Sequence, residues 1–342
     1  MSQPWHNQVE RFCRQYLQLE PKLDFPEASF LRLPDVQDVI FTRLFADGAV
    51  RYGPPPRYQI KTLKALVSKI EASIEDWDQH EVSEDLMSAL SVLLSTPLPS
   101  EAAAVQQKCY VSYHPSALSD VPGSARQDAC VTLLENRSLI SAAGTTGLRT
   151  WEAALHLGQF LCRNPSAIRG KRVLELGAGT GYLSILCARY LRATHVIASD
   201  GSDDVINTLP ENLFLNGLQE SSLVTPMDLK WGHALVGTEE ETWNGGRPVD
   251  VALGADVTYD QSVIPALVGT LVDLFALHPS VHAYISATKR NDETLGAFLG
   301  ACGDQALEVD NVVFEVPSRA EQRGPFYGDE IPIAIYRVSK RN

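Results

Sequence analysis

The chain lacks the local patterns that mark several large classes of protein. No uncharged apolar run reaches the roughly 18–20 residues of a membrane-spanning helix. The first ten residues show no apolar stretch behind a basic flank. The six cysteines form no C-x-x-C pair, and neither H-E-x-x-H nor G-x-S-x-G occurs. We therefore expect a cytoplasmic protein with reduced thiols, no metal site, no membrane association and no hydrolase triad.

Positive charge is also in short supply. The chain has 42 acidic and 29 basic residues, for a net charge of −13. Such a balance disfavours non-specific attraction to a phosphate backbone, so we expect no direct nucleic-acid partner. It suits a basic target surface, which an acidic protein attracts by electrostatic steering.

The 342 residues are enough for a large domain with an accessory region. Up to about residue 95 the apolar residues recur at three- and four-residue spacing, which is typical of amphipathic helices. We predict an N-terminal α-helical accessory region at 1–105. A β-rich connector that packs on the core follows at 106–149, with strands near 109–113 and 131–134. The accessory helices are expected to recognise a protein substrate or to brace the core.

The remainder, residues 150–342, alternates strands and helices. A helix capped by Thr150 is expected to run to residue 162. Short apolar runs then predict buried parallel strands at 173–176, 195–199, 223–226, 249–253 and 281–287. Two late runs, 307–316 and 331–338, predict an antiparallel hairpin at the sheet edge. The pattern indicates an α/β fold with a seven-stranded, doubly wound, mostly parallel sheet.

A glycine-rich segment follows the first of these strands. Residues 175–181 read Glu-Leu-Gly-Ala-Gly-Thr-Gly, and glycines at such a turn let the backbone approach a ligand closely. A dinucleotide fingerprint needs glycine at the sixth place, where this chain has Tyr182. Asp200, at the end of the next strand, is placed to accept hydrogen bonds from ribose hydroxyls. The alternatives are a tight turn alone, and Asp200 as the cap of a helix that opens at Ser202.

These residues carry a family resemblance. Residues 175–181 resemble motif I of the seven-β-strand S-adenosylmethionine-dependent methyltransferases. The segments Gly-Thr-Thr-Gly-Leu-Arg-Thr-Trp-Glu-Ala-Ala at 144–154, Leu-Lys-Trp-Gly at 229–232 and Asp-Val-Thr-Tyr at 256–259 resemble the family 16 protein-lysine methyltransferases. Within that family, the Gly-Thr-Thr-Gly-Leu segment and the long N-terminal extension look most like the members that methylate elongation factor 2. The match covers about residues 140–340.

The resemblance implies S-adenosylmethionine as the cofactor and a set of residues that hold it. By analogy two tryptophans line the pocket, the glycine loop passes beneath the methionine part, and Asp200 holds the ribose. The cofactor-binding residues implied in this way are Trp151, Glu175, Gly177, Ala178, Gly179, Asp200, Trp231 and Ala255. The alternatives are that Trp151 lies on the buried face of a helix and that Trp231 packs over the sheet edge.

The predicted acceptor site follows the fourth strand. Asp256 and Tyr259 are the predicted catalytic residues, because ligands of open α/β sheets bind beyond the carboxyl ends of the strands. Val257 and Thr258 replace the proline pair of base and amide methyltransferases, which favours an aliphatic amine. Asp256 would bind and aim that amine, and Tyr259 would contact it. The alternative is that this segment caps a helix near residue 261.

Residues 288–291, Thr-Lys-Arg-Asn, resemble a family segment near the acceptor entrance. The alternative is a solvated loop capped by Asn291. Taken together, we predict a monomeric protein-lysine N-methyltransferase with elongation factor 2 as substrate. Other readings are a methyltransferase for another protein, for RNA or for a small molecule, and a non-catalytic scaffold. A nicotinamide-dependent oxidoreductase would need the missing glycine.

Overall fold

The computed structural model describes residues 3–100, 107–118, 129–137, 146–233, 235, 244 and 246–341. The chain divides into two compact units. Unit 1 comprises Met1–His114, Leu134–Ser138 and Arg323–Phe326, and unit 2 comprises Pro115–Leu133, Leu139–Gln322 and Tyr327–Asn342. The division into accessory region, connector and catalytic domain stays a prediction, because compactness does not report function.

The described residues of unit 1 form five helices, and helical structure in this region agrees with the apolar spacing of its sequence. They are α1 (His6–Leu17), α2 (Ala28–Leu31), α3 (Pro34–Leu44), α4 (Pro56–Ser73) and α5 (Glu84–Ser95). Proline opens α3 and α4, since the first helical residue needs no amide hydrogen. The predicted apolar stripe of α1 is confirmed: Phe12 and Tyr16 are fully buried in a cluster with Ile40, Leu63 and Leu66.

Two short strands follow, β1 (Cys109–Tyr113) and β2 (Val131–Glu135), where the sequence predicts β structure. Among the described residues, no helix has both the length and the apolar character needed to cross a membrane.

Unit 2 is built on a seven-stranded sheet. Its strands are β3 (Arg172–Leu176), β4 (His195–Asp200), β5 (Val224–Asp228), β6 (Val251–Ala255), β7 (His282–Thr288), β8 (Leu307–Val312) and β9 (Ile333–Lys340). Their spatial order is β5-β4-β3-β6-β7-β9-β8. The pairs from β5 to β7 are parallel, and β9 pairs antiparallel with both β7 and β8. The predicted fold, including the late antiparallel hairpin, is confirmed.

The helices of unit 2 alternate with the strands. They are α6 (Glu152–Arg163), α7 (Tyr182–Arg189), α8 (Asp203–Leu215), α9 (Ile264–Leu277) and α10 (Asp292–Asp304), with short 3-10 helices at Ser116–Leu118 and Pro165–Ala167. Leu174 and Ala252 from the sheet share a buried cluster with Leu267, Leu271 and Leu274 of α9. A central strand buried on both faces needs apolar residues on both, which explains the nearly continuous apolar runs of the sequence.

One expectation about the start of α6 is wrong. The residue before the helix is Trp151 rather than Thr150, and no side chain caps the first turn. The hydroxyl of Thr150 lies instead 2.7 Å from that of Thr180 in the glycine loop. Thr150 therefore ties the approach to α6 to the loop after β3, a contact between distant parts of the chain that a local capping rule does not consider.

Candidate active site

The carboxyl ends of β3, β4 and β6 border a cleft of about 680 Å³ in unit 2. The chain leaves β3 toward β4 on one side and reaches β6 on the other, so this edge is the topological switch point of the sheet. All ten residues predicted for the site line this cleft: Trp151, Glu175, Gly177, Ala178, Gly179, Asp200, Trp231, Ala255, Asp256 and Tyr259. The structure brings the predicted set together, and the role of each residue stays a prediction.

The glycine loop after β3 has no room for side chains at two positions. Gly177 and Gly179 have positive φ angles of 69° and 53°. A Cβ atom on Gly177 would lie 2.9 Å from Cγ1 of Val257 and 3.4 Å from the ring of Trp231. A Cβ atom on Gly179 would lie 3.2 Å from the carbonyl oxygen of Gly147. The glycines are therefore required by close approach as well as by backbone conformation.

Glu175, near the end of β3, connects this strand to the helix that follows the loop. Its carboxylate accepts hydrogen bonds from the backbone N–H of Ser184, at 2.9 Å, and from the Ser184 hydroxyl, in the first turn of α7. Burial raises the pKa of Glu175 to about 8; the Ser184 hydrogen bonds oppose the rise and nearby Asp200 adds to it. These two hydrogen bonds from Ser184 hold the end of β3 against the start of α7.

Asp200 holds the other side of the loop. One carboxylate oxygen accepts from the backbone N–H of Gly179 and the other from that of Ser202, each at 3.0 Å. Ser202 is the residue that precedes α8, so Asp200 lies outside the helix and is not its N-cap. Burial raises the pKa of Asp200, and its backbone hydrogen bonds oppose the rise. A carboxylate has about four acceptor positions, more than its backbone partners Gly179, Ser202 and Gly201 fill, so it can also accept from a ligand's hydroxyl.

The two predicted tryptophans differ in how they are held. Trp151 precedes α6 and donates its indole N–H to the carbonyl of Thr146 at 2.9 Å, so it does not lie on the buried face of the helix. The indole nitrogen of Trp231 is buried without a hydrogen-bond partner among the described residues. Trp231 also packs against the core beside the sheet, as the alternative interpretation predicts. A buried indole N–H normally has a hydrogen-bond partner, so this nitrogen can still donate to an acceptor in the cleft.

Asp256 follows β6 with a backbone in the left-handed region, at a φ of 50°. Its carboxylate accepts from the backbone N–H of Thr288 at 2.9 Å and from the Thr288 hydroxyl at 3.0 Å. Burial raises the pKa of Asp256, while the Thr288 hydrogen bonds and the charge of Arg290 oppose the rise. The residue before α9 is Val263, and no side chain caps that helix. The interpretation of Asp256 as a helix cap is therefore wrong.

Tyr259, the second predicted catalytic residue, is 54% exposed on the rim of the cleft. Its side chain is therefore accessible from solvent, and its role in catalysis stays a prediction.

A charged cluster beside the predicted acceptor site was largely missed by the sequence analysis. Arg290 lies 3.4 Å from the Asp256 carboxylate and 2.8 Å from that of Glu152. Arg149 lies 3.6 Å from Glu152. The guanidinium carbons of Arg149 and Arg290 lie 4.4 Å and 5.3 Å from the centre of a Trp151 ring. Three separate segments therefore bring two cations and two anions to one side of the cleft.

The signal for this cluster was the segment 288–291, whose resemblance to an acceptor-entrance segment is consistent with the contacts of Thr288 and Arg290. Asn291 also caps α10, accepting from the backbone N–H of Glu293 at 2.8 Å. The cap at Asn291 is therefore confirmed, and a place for this segment near the acceptor entrance stays a prediction. The motif segment 144–154 is described from Thr146 onward; Gly144 and Thr145 lie outside the described residues.

The strand order, with one reversed strand near its edge, and the glycine loop that lacks the sixth glycine define a Rossmann-like methyltransferase.

Comparison with known proteins narrows this class. Residues 138–302 match the model of a family described as lysine methyltransferase. The "Protein-lysine N-methyltransferase EFM3" of Chaetomium thermophilum is 57% identical over 97% of this chain and 98% of that protein. The "Protein-lysine N-methyltransferase EEF2KMT" of Homo sapiens is 29% identical over 97% of this chain and 96% of that protein.

The "Protein-lysine N-methyltransferase EFM3" of Saccharomyces cerevisiae is 30% identical over 63% of this chain and 67% of that protein. The chain belongs to this family of lysine methyltransferases. The predicted family and the predicted enzyme class, protein-lysine methyl transfer, are confirmed.

Proposed function

We propose that the chain transfers a methyl group from S-adenosylmethionine to a lysine ε-amine of elongation factor 2, and that it does so as a monomer in the cytoplasm. The observation that carries the proposal is the convergence of all ten predicted residues on one cleft at the switch point of the sheet. Family membership supports the reaction, and the relatives named EEF2KMT support the substrate.

The residues on the cofactor side fit S-adenosylmethionine. When bound, this cofactor supplies an electrophilic methyl group on a positively charged sulfur. Gly177 and Gly179 would form the cradle that side chains would fill, and Asp200 can also accept from a ribose hydroxyl. Trp231 has a buried indole N–H in need of an acceptor. Their proposed role is to bind the cofactor and orient its methyl group. In a direct group transfer, such alignment contributes much of the catalysis.

On the acceptor side, the protein must receive a lysine and present its lone pair. A lysine with a pKa near 10.4 costs about 4–5 kcal/mol to deprotonate at pH 7. Asp256 would bind and aim the amine, whose proton passes to water. Tyr259, exposed at the rim, would offer its ring face or hydroxyl to the amine and its methylated product. The overall charge of −13 supports steering of a basic, lysine-bearing surface to the enzyme.

The test uses the full chain with labelled S-adenosylmethionine and elongation factor 2 purified from cells that lack the enzyme. We expect one labelled lysine, identified by mass spectrometry. Asp256→Asn should lower turnover about ten- to a hundredfold through loss of a charged hydrogen-bond acceptor. Asparagine suits this position because it tolerates a positive φ.

The matched control is Asp260→Asn, because Asp260 carries the same charge but, within the part of the chain that the structure describes, its side chain bonds only its local turn at Ser262. If Asp256→Asn and Tyr259→Ala both kept full turnover, the acceptor site would lie elsewhere. If the wild type labelled a different protein from a whole lysate and left elongation factor 2 unlabelled, the substrate assignment would be wrong while the reaction would stand.

A further inference from the structure

The carboxylate at the acceptor site is already paired within the protein. Asp256 accepts two hydrogen bonds from Thr288, and the Arg290 guanidinium lies 3.4 Å from the same carboxylate. The Asp256 side chain is only 9% exposed, whereas that of Arg290 is 40% exposed. The predicted lysine-binding group is therefore a buried anion with a cation on its solvent side.

This pairing answers a conflict in the proposed reaction. An isolated carboxylate stabilises a bound ammonium and so opposes loss of its proton. Methyl transfer needs the neutral amine, because only a free lone pair attacks the methyl carbon. A carboxylate whose charge is balanced by a guanidinium still accepts a hydrogen bond from an amine N–H, but holds the charged form less strongly.

We propose that Arg290 is a positioning residue that balances the charge of Asp256, so that the acceptor lysine is bound through its N–H yet gives up its proton. This inference rests on the proposed function and deepens it. The proton leaves the ammonium for water, and the nitrogen lone pair forms the new N–CH₃ bond as the methyl–sulfur bond breaks. Arg290 itself is not required to touch substrate or cofactor.

The position of Arg290 is fixed from a second element. Its Nη2 lies 2.8 Å from Glu152 of α6, and its guanidinium lies 5.3 Å from the Trp151 ring centre. Arg149 lies on the same side, 3.6 Å from Glu152. The charged groups around the pair are thus Glu152 and Arg149 at the start of α6, with Tyr259 as a further titratable side chain on the cleft. Glu152 pairs with both arginines, whereas Asp256 pairs with Arg290 alone among these contacts.

The first experiment needs no substrate. Aspartate-labelled protein is titrated by carbon NMR, and the Asp256 signal is assigned by its absence in Asp256→Asn. We expect Arg290→Gln to raise the pKa of Asp256 by about one unit, the effect of removing an opposite charge at this range. Lys289→Gln is the matched control, because it removes the same charge from the adjacent residue, which is exposed and has no ion pair with Asp256 among the described residues. It should leave the titration unchanged.

The second experiment measures the rate of elongation factor 2 methylation against pH. In Arg290→Gln the acid limb of kcat should move up by about one pH unit. Below that limb, kcat should fall about tenfold while KM for the protein stays level or drops, because the ammonium is held more tightly. Arg290→Lys should restore most of the profile, and Lys289→Gln should follow the wild type.

Several results would overturn the inference. The first is an unchanged Asp256 titration in Arg290→Gln. The second is an acid limb of kcat that does not shift while KM rises, which would indicate simple damage to the site. The third is faster turnover at every pH, which would mean that Arg290 blocks the site. If Arg290→Gln fails to fold, the same measurements are made on Arg290→Lys and Lys289→Gln. The inference then requires a smaller shift of the Asp256 pKa and of the acid limb, in the same direction, in Arg290→Lys and no shift in Lys289→Gln. If the wild type leaves elongation factor 2 unmethylated, the proposed substrate fails, and the Asp256 titration still decides the role of Arg290.

Discussion

The predicted cofactor side and the predicted acceptor side of the cleft, called the cofactor side and the acceptor side below, are built in different ways. On the cofactor side, backbone groups make the key contacts: the N–H groups of Gly179 and Ser202 bind Asp200, and the loop packs too closely for side chains. On the acceptor side, side chains from separate segments meet, as Arg290 does with Asp256 and Glu152.

The geometry of the cofactor side thus depends on steric fit, whereas that of the acceptor side depends on interactions between charged side chains. Backbone contacts and close packing leave few acceptable substitutions, because a core position has no space to relax. Charged side chains at a half-exposed rim can be replaced with graded effects. We therefore expect changes on the cofactor side to weaken cofactor binding and changes on the acceptor side to lower the rate while cofactor binding is kept.

The largest effect is expected at Gly177. Gly177→Ala places a Cβ 2.9 Å from Val257 and forces alanine into a positive φ. Affinity for S-adenosylhomocysteine, measured by calorimetry, should fall about a hundredfold. Gly170→Ala is the matched control: its φ of 72° is equally strained, but nothing lies within 4 Å of the added atom. Equal losses in both variants would mean that backbone strain, rather than crowding of the cleft, controls the loop.

A smaller loss is expected at Asp200. Asp200→Asn keeps the shape but removes a charged acceptor, so affinity for S-adenosylhomocysteine should fall about ten- to a hundredfold. Asp228→Asn makes the same change at the paired position of the neighbouring strand, where the side chain is 53% exposed. Calorimetry should show no loss in that control. If Asp200→Asn bound normally, its carboxylate would serve only to shape the loop.

A third prediction concerns pH and stability. The Glu175 carboxyl has a pKa of about 8 in the folded protein against an ordinary value of 4.5. Between these values the folded chain keeps a proton that the unfolded chain has lost, so stability falls as pH rises through this window. The thermal midpoint of the wild type should drop by roughly several degrees from pH 6 to pH 8.

Glu175→Gln should show a flatter dependence, because glutamine does not titrate. Glu211→Gln, at an exposed position of α8, should behave like the wild type. Parallel curves for wild type and Glu175→Gln would show that the buried carboxyl does not limit stability.

The smallest effect is expected at Tyr259, on the acceptor side. Tyr259→Ala removes an exposed ring and should lower turnover about two- to fivefold, the size of an exposed cation–π contact. Tyr259→Phe keeps the ring and should lie closer to the wild type. Cofactor affinity should be unchanged in both. A loss in the phenylalanine variant as large as in alanine would assign the contact to the hydroxyl.

The features of the fold that depend on local pattern could be predicted from the sequence. The apolar run of β3, the glycine loop that follows it and Asp200 at the end of β4 lie close together in the chain and follow general rules. Element boundaries were less accurate: β5 begins and ends later than its apolar run, because Met227 and Asp228 continue the pairing with β4.

The acceptor side was harder to predict because its contacts join distant segments. Arg290 reaches Glu152 across 138 positions of sequence, and the two lie on separate elements. Spacing rules describe neighbours on one helix or strand, so they do not find such a pair. Thr150 failed as a helix cap for the same reason, since its hydroxyl pairs with Thr180 in another element.

The ladder between β3 and β6 sets the distance between the glycine loop and Asp256, the predicted donor and acceptor sites. Val173 lies opposite Val251, and Leu176 opposite Gly254, so the glycine loop and Asp256 leave the sheet at neighbouring heights. A slip of one residue would displace one against the other by about 3.3 Å and turn the strand's faces over. Four pairs of facing residues in β3 and β6 thus fix the position of the glycine loop relative to Asp256. We expect a mutation that shifts this register to misalign methyl transfer, even if it changes no residue of the cleft.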